Sequence, residues 1–155
     1  LKKRVYILKK LISFIIILIM VGTTGCSKKD VINYNYIFKG ENESWVAEYS
    51  INGTQEFIEK DGSSNFKSEC QKEFSITYKN DISELASIKN IVISYTSSTS
   101  KGEIVEDYKD GTQPEKTYKI QSSSTGGAIE NKDDIIEVTV NIDGNIETFE
   151  LKNEQ

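Results

Sequence analysis

The amino-acid sequence predicts an all-β fold, an antiparallel immunoglobulin-like β-sandwich of about seven to eight strands. Beyond residue 40, apolar side chains alternate with polar ones, as in Trp45, Ala47, Tyr49 and Ile51, which is the pattern of a strand with one buried face. Turn dipeptides such as Asn-Gly, Asp-Gly and Gly-Gly separate the alternating runs. Short alternating strands divided by turns are typical of a sandwich of two antiparallel sheets.

The first 25 residues predict a cleaved signal peptide. Basic residues at 2–4 and 9–10 precede an apolar run from Leu11 to Val21, which is followed by small residues ending at Gly25-Cys26. A run of 11 residues is much shorter than the ~20 that a membrane-spanning helix needs. We therefore expect a lipoprotein signal cut between Gly25 and Cys26. An uncleaved anchor helix is the alternative, although its lysines would be costly inside lipid.

Cleavage at this position makes Cys26 the lipidated N-terminus of an extracellular protein. The sequence then divides into the signal peptide 1–25, a lipidated cysteine and tether 26–40, and a β-sandwich domain 41–155. Residues 34–38 alternate in the manner of a strand, so a first strand in place of the tether is left open. The membrane is thus a partner through the lipid on Cys26, and the predicted address is the outer face of the cell membrane.

The domain resolves into strands in chain order. The clearest alternations, and the shorter candidates between them, are Trp45–Ile51, Gln55–Lys60, Phe74–Tyr78, Ile91–Tyr95, Glu103–Tyr108, Lys116–Gln121, Glu137–Ile142 and Asn145–Leu151. A turn at Asn52-Gly53 is expected to end the first of these. One helical turn, capped by Asp81, is predicted where Ile82, Leu85 and Ile88 lie three residues apart.

The last two strands form the clearest local prediction. Asp143-Gly144 between two alternating runs is a type I′ hairpin signal. A two-residue turn there pairs Val138 with Phe149 and Ile136 with Leu151 on one face. A slip of one residue would expose the apolar side, so pattern and turn specify the same register.

Charge and composition narrow the range of functions. The whole chain has a formal net charge of −5, but residues 1–25 hold five basic and no acidic residues. The remainder carries 14 basic residues against 24 acidic ones, a net charge of −10. Such a surface repels nucleic acid, so no nucleic-acid partner is expected.

Catalytic and cofactor motifs are sparse. The chain has no histidine, which excludes Ser-His-Asp and Cys-His catalysis and most zinc sites. No Gly-rich phosphate loop, cofactor motif or metal-ligand spacing stands out. Cys70 has no histidine to activate it, so it is expected to be a half-buried small hydrophobe. The remaining chemistry is that of carboxylates, which are densest at Glu103, Glu106, Asp107 and Asp110.

Three aromatic residues are candidate ligand contacts. Trp45, the only tryptophan, is expected mainly as a core residue with its N–H bonded to backbone, and a sugar-stacking or peptide-docking role is the alternative. Tyr108 and Tyr118 are expected to be exposed and able to contact a ligand.

Several short segments resemble those of small lipid-anchored lipoproteins of Firmicutes. They are Gly40–Trp45, Tyr118–Ile120, Ser122–Ala128, Ile136–Val140 and Glu147–Leu151. The resemblance implies an exported, lipid-anchored β domain on a Gram-positive membrane, and it implies no activity, ligand or catalytic residue.

The function expected from these features is a non-catalytic binding or accessory module of the cell envelope. Its partner would be a peptide, a wall glycan or another envelope protein. One alternative is a glycan-active enzyme that uses Glu106 with Asp107 or Asp110, whose two carboxylates would have to face each other across a cleft. A second alternative is an inhibitor or immunity-type lipoprotein, which would need a large exposed apolar patch or a protruding loop.

Overall fold

The computed structural model describes residues 28–60, 62–109 and 112–154. The predicted signal peptide, its cleavage site at Gly25-Cys26 and the candidate carboxylate Asp110 lie outside these ranges. Among the described residues, no helix has the length and apolar character needed to cross a lipid bilayer.

The described residues form eight β-strands and one short 3-10 helix. The strands are β1 Lys28–Glu41, β2 Trp45–Lys60, β3 Ser63–Tyr78, β4 Asn90–Thr96, β5 Lys101–Asp107, β6 Thr117–Thr125, β7 Ile136–Ile142 and β8 Asn145–Asn153. The 3-10 helix, Ile82–Leu85, begins at the predicted cap, since the Asp81 carboxylate accepts a hydrogen bond from the backbone N–H of Ser83.

The chain divides into two compact units. The larger one comprises residues 31–56 and 66–155 and holds the buried apolar residues that the structure describes. The described residues of the smaller one are 28–30, 57–60 and 62–65, and they include an exposed ion pair between Lys28 and Asp30 at 3.1 Å.

The all-β antiparallel fold is confirmed, whereas the immunoglobulin-like sandwich is not. The eight strands are hydrogen-bonded into one sheet in the order β5-β4-β7-β8-β1-β2-β3-β6. The two edge strands, β5 and β6, contact each other within the larger unit, so the sheet is nearly closed there. A sandwich and a curled single sheet both bury one side of every strand, so alternation alone does not distinguish them.

The segment predicted as a tether forms the first strand in the chain. β1 starts at Lys28 and runs to Glu41, so the alternative of a first strand is correct and the tether 26–40 is not observed over its described residues. Phe38 is fully buried, and Tyr36 packs against the core. The apolar side chains of β1 pack against the core, whereas a solvated tether would leave them exposed to water.

The predicted turn at Asn52-Gly53 is also wrong, because β2 continues through it to Lys60. A Cβ atom at Gly53 would lie 3.0 Å from the carbonyl oxygen of Glu69 and 3.1 Å from Ile129 Cδ1. The glycine therefore allows neighbouring atoms to approach β2 closely, which is a common reason for glycine inside a strand.

The predicted register of the C-terminal hairpin is confirmed. Val138 pairs with Phe149 and Ile136 pairs with Leu151. Asp143 and Gly144 have φ values of 51° and 92°, as a type I′ turn requires at its two central positions. The Asp143 carboxylate also accepts hydrogen bonds from the backbone N–H groups of Lys89 and Asn90, which ties the turn to the start of β4.

The core of the larger unit is aromatic at its centre. Tyr95 packs against Tyr49 and Phe74 with ring centroids 5.0 and 4.9 Å apart, and Trp45 packs against Tyr78 at 5.0 Å. The predicted inward residues of β2, β3, β4 and β7 are all buried. Aromatic pairs at these separations add to the stabilisation from burying their area.

Candidate functional site

The gap between the edge strands β5 and β6 holds the candidate site. Gly102 of β5 brings the strands together, because a Cβ atom there would lie 2.4 Å from the Tyr95 ring and 3.1 Å from Ile120 Cδ1. Further along the gap the strands are bridged by Tyr108 and Tyr118, whose hydroxyl oxygens are 2.7 Å apart.

A cavity of about 310 Å³ opens at this end of the gap. Its walls include Ile104, Glu106, Tyr108, Gln113, Glu115 and Tyr118. This volume is at the lower end of the range for ligand pockets, roughly 300–1,000 Å³. The cavity therefore suits one small group, such as a single sugar or one side chain, and it combines two aromatic rings with carboxylate and amide groups.

The two tyrosines keep their hydroxyl protons at neutral pH. Burial raises the pKa of Tyr118, and its hydrogen bond to Tyr108 adds to that effect. Burial also raises the pKa of Tyr108. The negative charges of Glu106 and Glu115 raise this pKa further. Only one of the two protons is used in the bond between the hydroxyls, so the other can be donated to a ligand.

The predicted ligand contacts come together, although not as exposed residues. Tyr118 is buried and Tyr108 is half-buried. Trp45 is fully buried, with its ring centroid 6.5 Å from that of Tyr118. The expected bond from its N–H to backbone is absent, since Nε1 has no hydrogen-bond partner among the described residues. Trp45 is not among the residues that line the cavity, but its ring packs against that of Tyr118, which does line it.

Of the two predicted carboxylate pairs, Glu106 with Asp107 is separated, and Glu106 with Asp110 falls outside the described residues. Glu106 lines the cavity, but Asp107 follows it directly in β5, and consecutive strand residues point to opposite faces. The Asp107 carboxylate instead accepts a hydrogen bond from Asn90 Nδ2 at 2.7 Å. Among the described residues, the Glu115 carboxylate also lines the cavity, and the sequence did not single it out.

Glu115 and Gln113 come from the loop that precedes β6. Pro114, the only proline of the chain, is buried between them. A proline fixes its own backbone and restricts the residue before it, so this loop has a defined path. The Gln-Pro-Glu tripeptide was the one available sequence signal for these two residues.

A second polar cluster lies inside the sheet. The Glu130 carboxylate is 1% exposed and sits 2.8 Å from the Lys72 ammonium. Its Oε1 atom accepts hydrogen bonds from Tyr49, Lys72, Ser97 and Ser100 at 2.7–3.0 Å. Its Oε2 atom accepts none of good geometry, so its contact with the ammonium is purely electrostatic. The carboxylate joins two strands to two loops and acts as a structural anchor.

Cys70 lies near this cluster and is more deeply buried than the half-buried hydrophobe that the sequence predicts. Its side chain is buried, and burial raises the pKa of its thiol. A raised thiol pKa disfavours the nucleophilic thiolate. Across the described ranges, no group of three or more carboxylate or cysteine side chains is placed to hold a metal ion.

Comparison with protein-family models, curated proteins and solved structures finds no match for this chain. The chemistry of the site therefore rests on its own residues.

Proposed function

We propose that the chain is an exported lipoprotein, anchored by lipid on Cys26, whose β domain binds an envelope glycan without catalysing a reaction. The observation that carries the binding half is the convergence of Tyr108, Tyr118 and two carboxylates on one small cavity. The ring of the half-buried Tyr108 can pack against the apolar face of a sugar, while carboxylate, amide and phenol groups bond to sugar hydroxyls. The signal-like start and the resemblance to lipid-anchored lipoproteins of Firmicutes support the export half.

Binding at the cavity is testable with Trp45 as an intrinsic reporter, because its ring contacts Tyr118 and it is the only tryptophan. Titration with the N-acetylglucosamine dimer should give a saturable change in tryptophan fluorescence. Tyr108→Phe, which removes one hydroxyl, should weaken that binding about ten-fold, the effect of one good hydrogen bond.

Tyr34→Phe is the matched control, since Tyr34 donates its hydrogen bond to Gln55 rather than to a cavity residue. This control should bind the dimer as the wild type does. Equal affinities for the wild type and Tyr108→Phe would contradict the assignment of the cavity.

Glycan hydrolysis is a second candidate, favoured by the position of both Glu106 and Glu115 at the same cavity. Paired carboxylates are the usual machinery of glycoside cleavage. Mass spectrometry of oligomers incubated with the protein distinguishes the two functions. A binding module leaves the oligomers intact, whereas a hydrolase shortens them and loses that activity in Glu106→Gln.

The lipid anchor has its own test. Cys26→Ala should release the protein from the membrane fraction or leave it as an unprocessed precursor, because no thiol remains to carry the acyl chains. Two or more chains hold a protein firmly, at about 0.8 kcal/mol for each buried CH₂. Fractionation with mass spectrometry reads the outcome. A Cys26→Ala protein found at the membrane at mature size would contradict the anchor.

A further inference from the structure

A polar groove crosses the outer face of β2, β3 and β6. Its volume is about 530 Å³, and its walls include Ser50, Asn52, Gln71, Glu73, Gln121 and Ser123. Ser50 and Asn52 alternate along β2 with the buried Tyr49 and Ile51, which places the groove on the side away from the core. The groove spans two interstrand spacings, about 10 Å.

The groove offers hydrogen bonds and almost no net charge. Most of its walls are hydroxyl and amide groups, which both donate and accept. The charged side chains among its described walls are paired. The Glu73 carboxylate lies 3.2 Å from the Lys119 ammonium and accepts a hydrogen bond from Gln121 Nε2 at 2.5 Å. The Lys72 ammonium, which also lines the groove, lies 2.8 Å from the buried Glu130 carboxylate. A neutral ligand rich in hydroxyl and amide groups matches such a surface, whereas a charged chain would leave its charge uncompensated.

Lys119 connects the groove to the cavity. It is one of the residues that line the cavity between β5 and β6, and its ammonium reaches the Glu73 carboxylate in the groove. We propose that cavity and groove form one extended site for a neutral glycan chain, with one sugar in the cavity, the second beside Lys119 at the junction, and the following sugars along the groove. This inference rests on the proposed function and specifies the class of ligand.

Chain length provides the test. Affinities are measured for the N-acetylglucosamine dimer and hexamer by calorimetry in 0.15 M salt. The wild type should bind the hexamer at least ten-fold more tightly than the dimer. The Asn52→Ala/Gln121→Ala variant should bind both with the affinity that the wild type has for the dimer, because only the groove has changed. Asn35→Ala, an exposed strand asparagine outside the groove, should keep the full advantage of the hexamer.

The possible failures are distinguishable. Dimer binding with no gain for the hexamer would overturn the groove and leave the cavity standing. Loss of dimer binding in Asn52→Ala/Gln121→Ala would likewise overturn a groove that acts only on further sugars. Absence of binding by either oligomer would overturn both this inference and the proposed function.

Discussion

Glu130→Gln is expected to lower the free energy of unfolding by about 3–5 kcal/mol, the usual cost of leaving one member of a buried ion pair without its partner. Glutamine has nearly the same shape and keeps a side-chain oxygen for the hydroxyl donors, so the main change is electrostatic. The Lys72 ammonium, only 6% exposed, then faces Thr99 and the hydroxyl groups without a negative charge. Urea unfolding at pH 7, followed by Trp45 fluorescence, measures the change.

Two further variants isolate the cause. Glu41→Gln breaks an exposed pair, in which Lys79 lies 3.2 Å from a largely exposed carboxylate, and should cost at most about 1 kcal/mol. Lys72→Met/Glu130→Gln removes the unpaired charge and should recover much of the loss. The buried charge would not be the cause if Glu130→Gln were as stable as Glu41→Gln. The same would follow if Lys72→Met/Glu130→Gln were no more stable than Glu130→Gln alone.

The same pair gives the protein a dependence on pH. Burial acts to raise the pKa of Glu130, but hydrogen bonds from Lys72 and Ser97 outweigh burial and lower that pKa from 4.5 to about 2. A lowered pKa means that the folded state favours the carboxylate. The contribution is therefore complete above about pH 4.5 and is lost as the pH falls towards 2. The wild type should lose stability more steeply than Glu130→Gln in that interval.

The strands were predictable from the sequence because each has a single buried face. Alternation gave the inward residues of β2 from Trp45 to Ile51, and Asp143-Gly144 gave the register of the last hairpin. The dipeptide Asn52-Gly53 led to a wrong turn prediction because glycine serves two purposes. Gly144 adopts a positive φ in a turn, whereas Gly53 lies inside β2, where its lack of a side chain lets neighbouring atoms approach closely. Sequence alone does not distinguish these uses.

The site was predictable only in part, for a similar reason. The predicted strands contain or adjoin three of the site residues, namely Tyr108, Tyr118 and Glu106. Glu115, by contrast, belongs to a loop whose sequence shows no alternation of apolar and polar residues. Lys72 lies on the same inner face of β3 as Phe74, two residues later in the chain. A lysine at such a position, however, suggests from sequence alone that the buried part of the strand has ended. Its partner Glu130 is 58 residues away, and local pattern does not reveal a contact at that separation.

Gly40→Ala is expected to destabilise the protein by about 3 kcal/mol, at the upper end of what overpacking costs. A Cβ atom at residue 40 would lie 2.1 Å from the carbonyl oxygen of Glu150 and 3.0 Å from Leu151 Cδ2. The first of these atoms belongs to the backbone of β8, so no side-chain rotation relieves the clash and the two strands must separate.

Strand separation at this point matters because, over the described residues, the ladder between β1 and β8 is short. The ladder pairs Phe38 with Asn153 and Lys39 with Lys152, and in the strand order it joins β5-β4-β7-β8 to β1-β2-β3-β6. Gly127→Ala is the control, since a Cβ there meets Ser124 at an ordinary 3.5 Å. Gly40→Ala should show a lower urea midpoint and faster amide hydrogen exchange at Glu154, whose N–H bonds to the Ile37 carbonyl, while Gly127→Ala should match the wild type in both. Equal stability of the two variants would mean that β8 yields without cost, and this short ladder would then not be what holds the two groups of strands in one sheet.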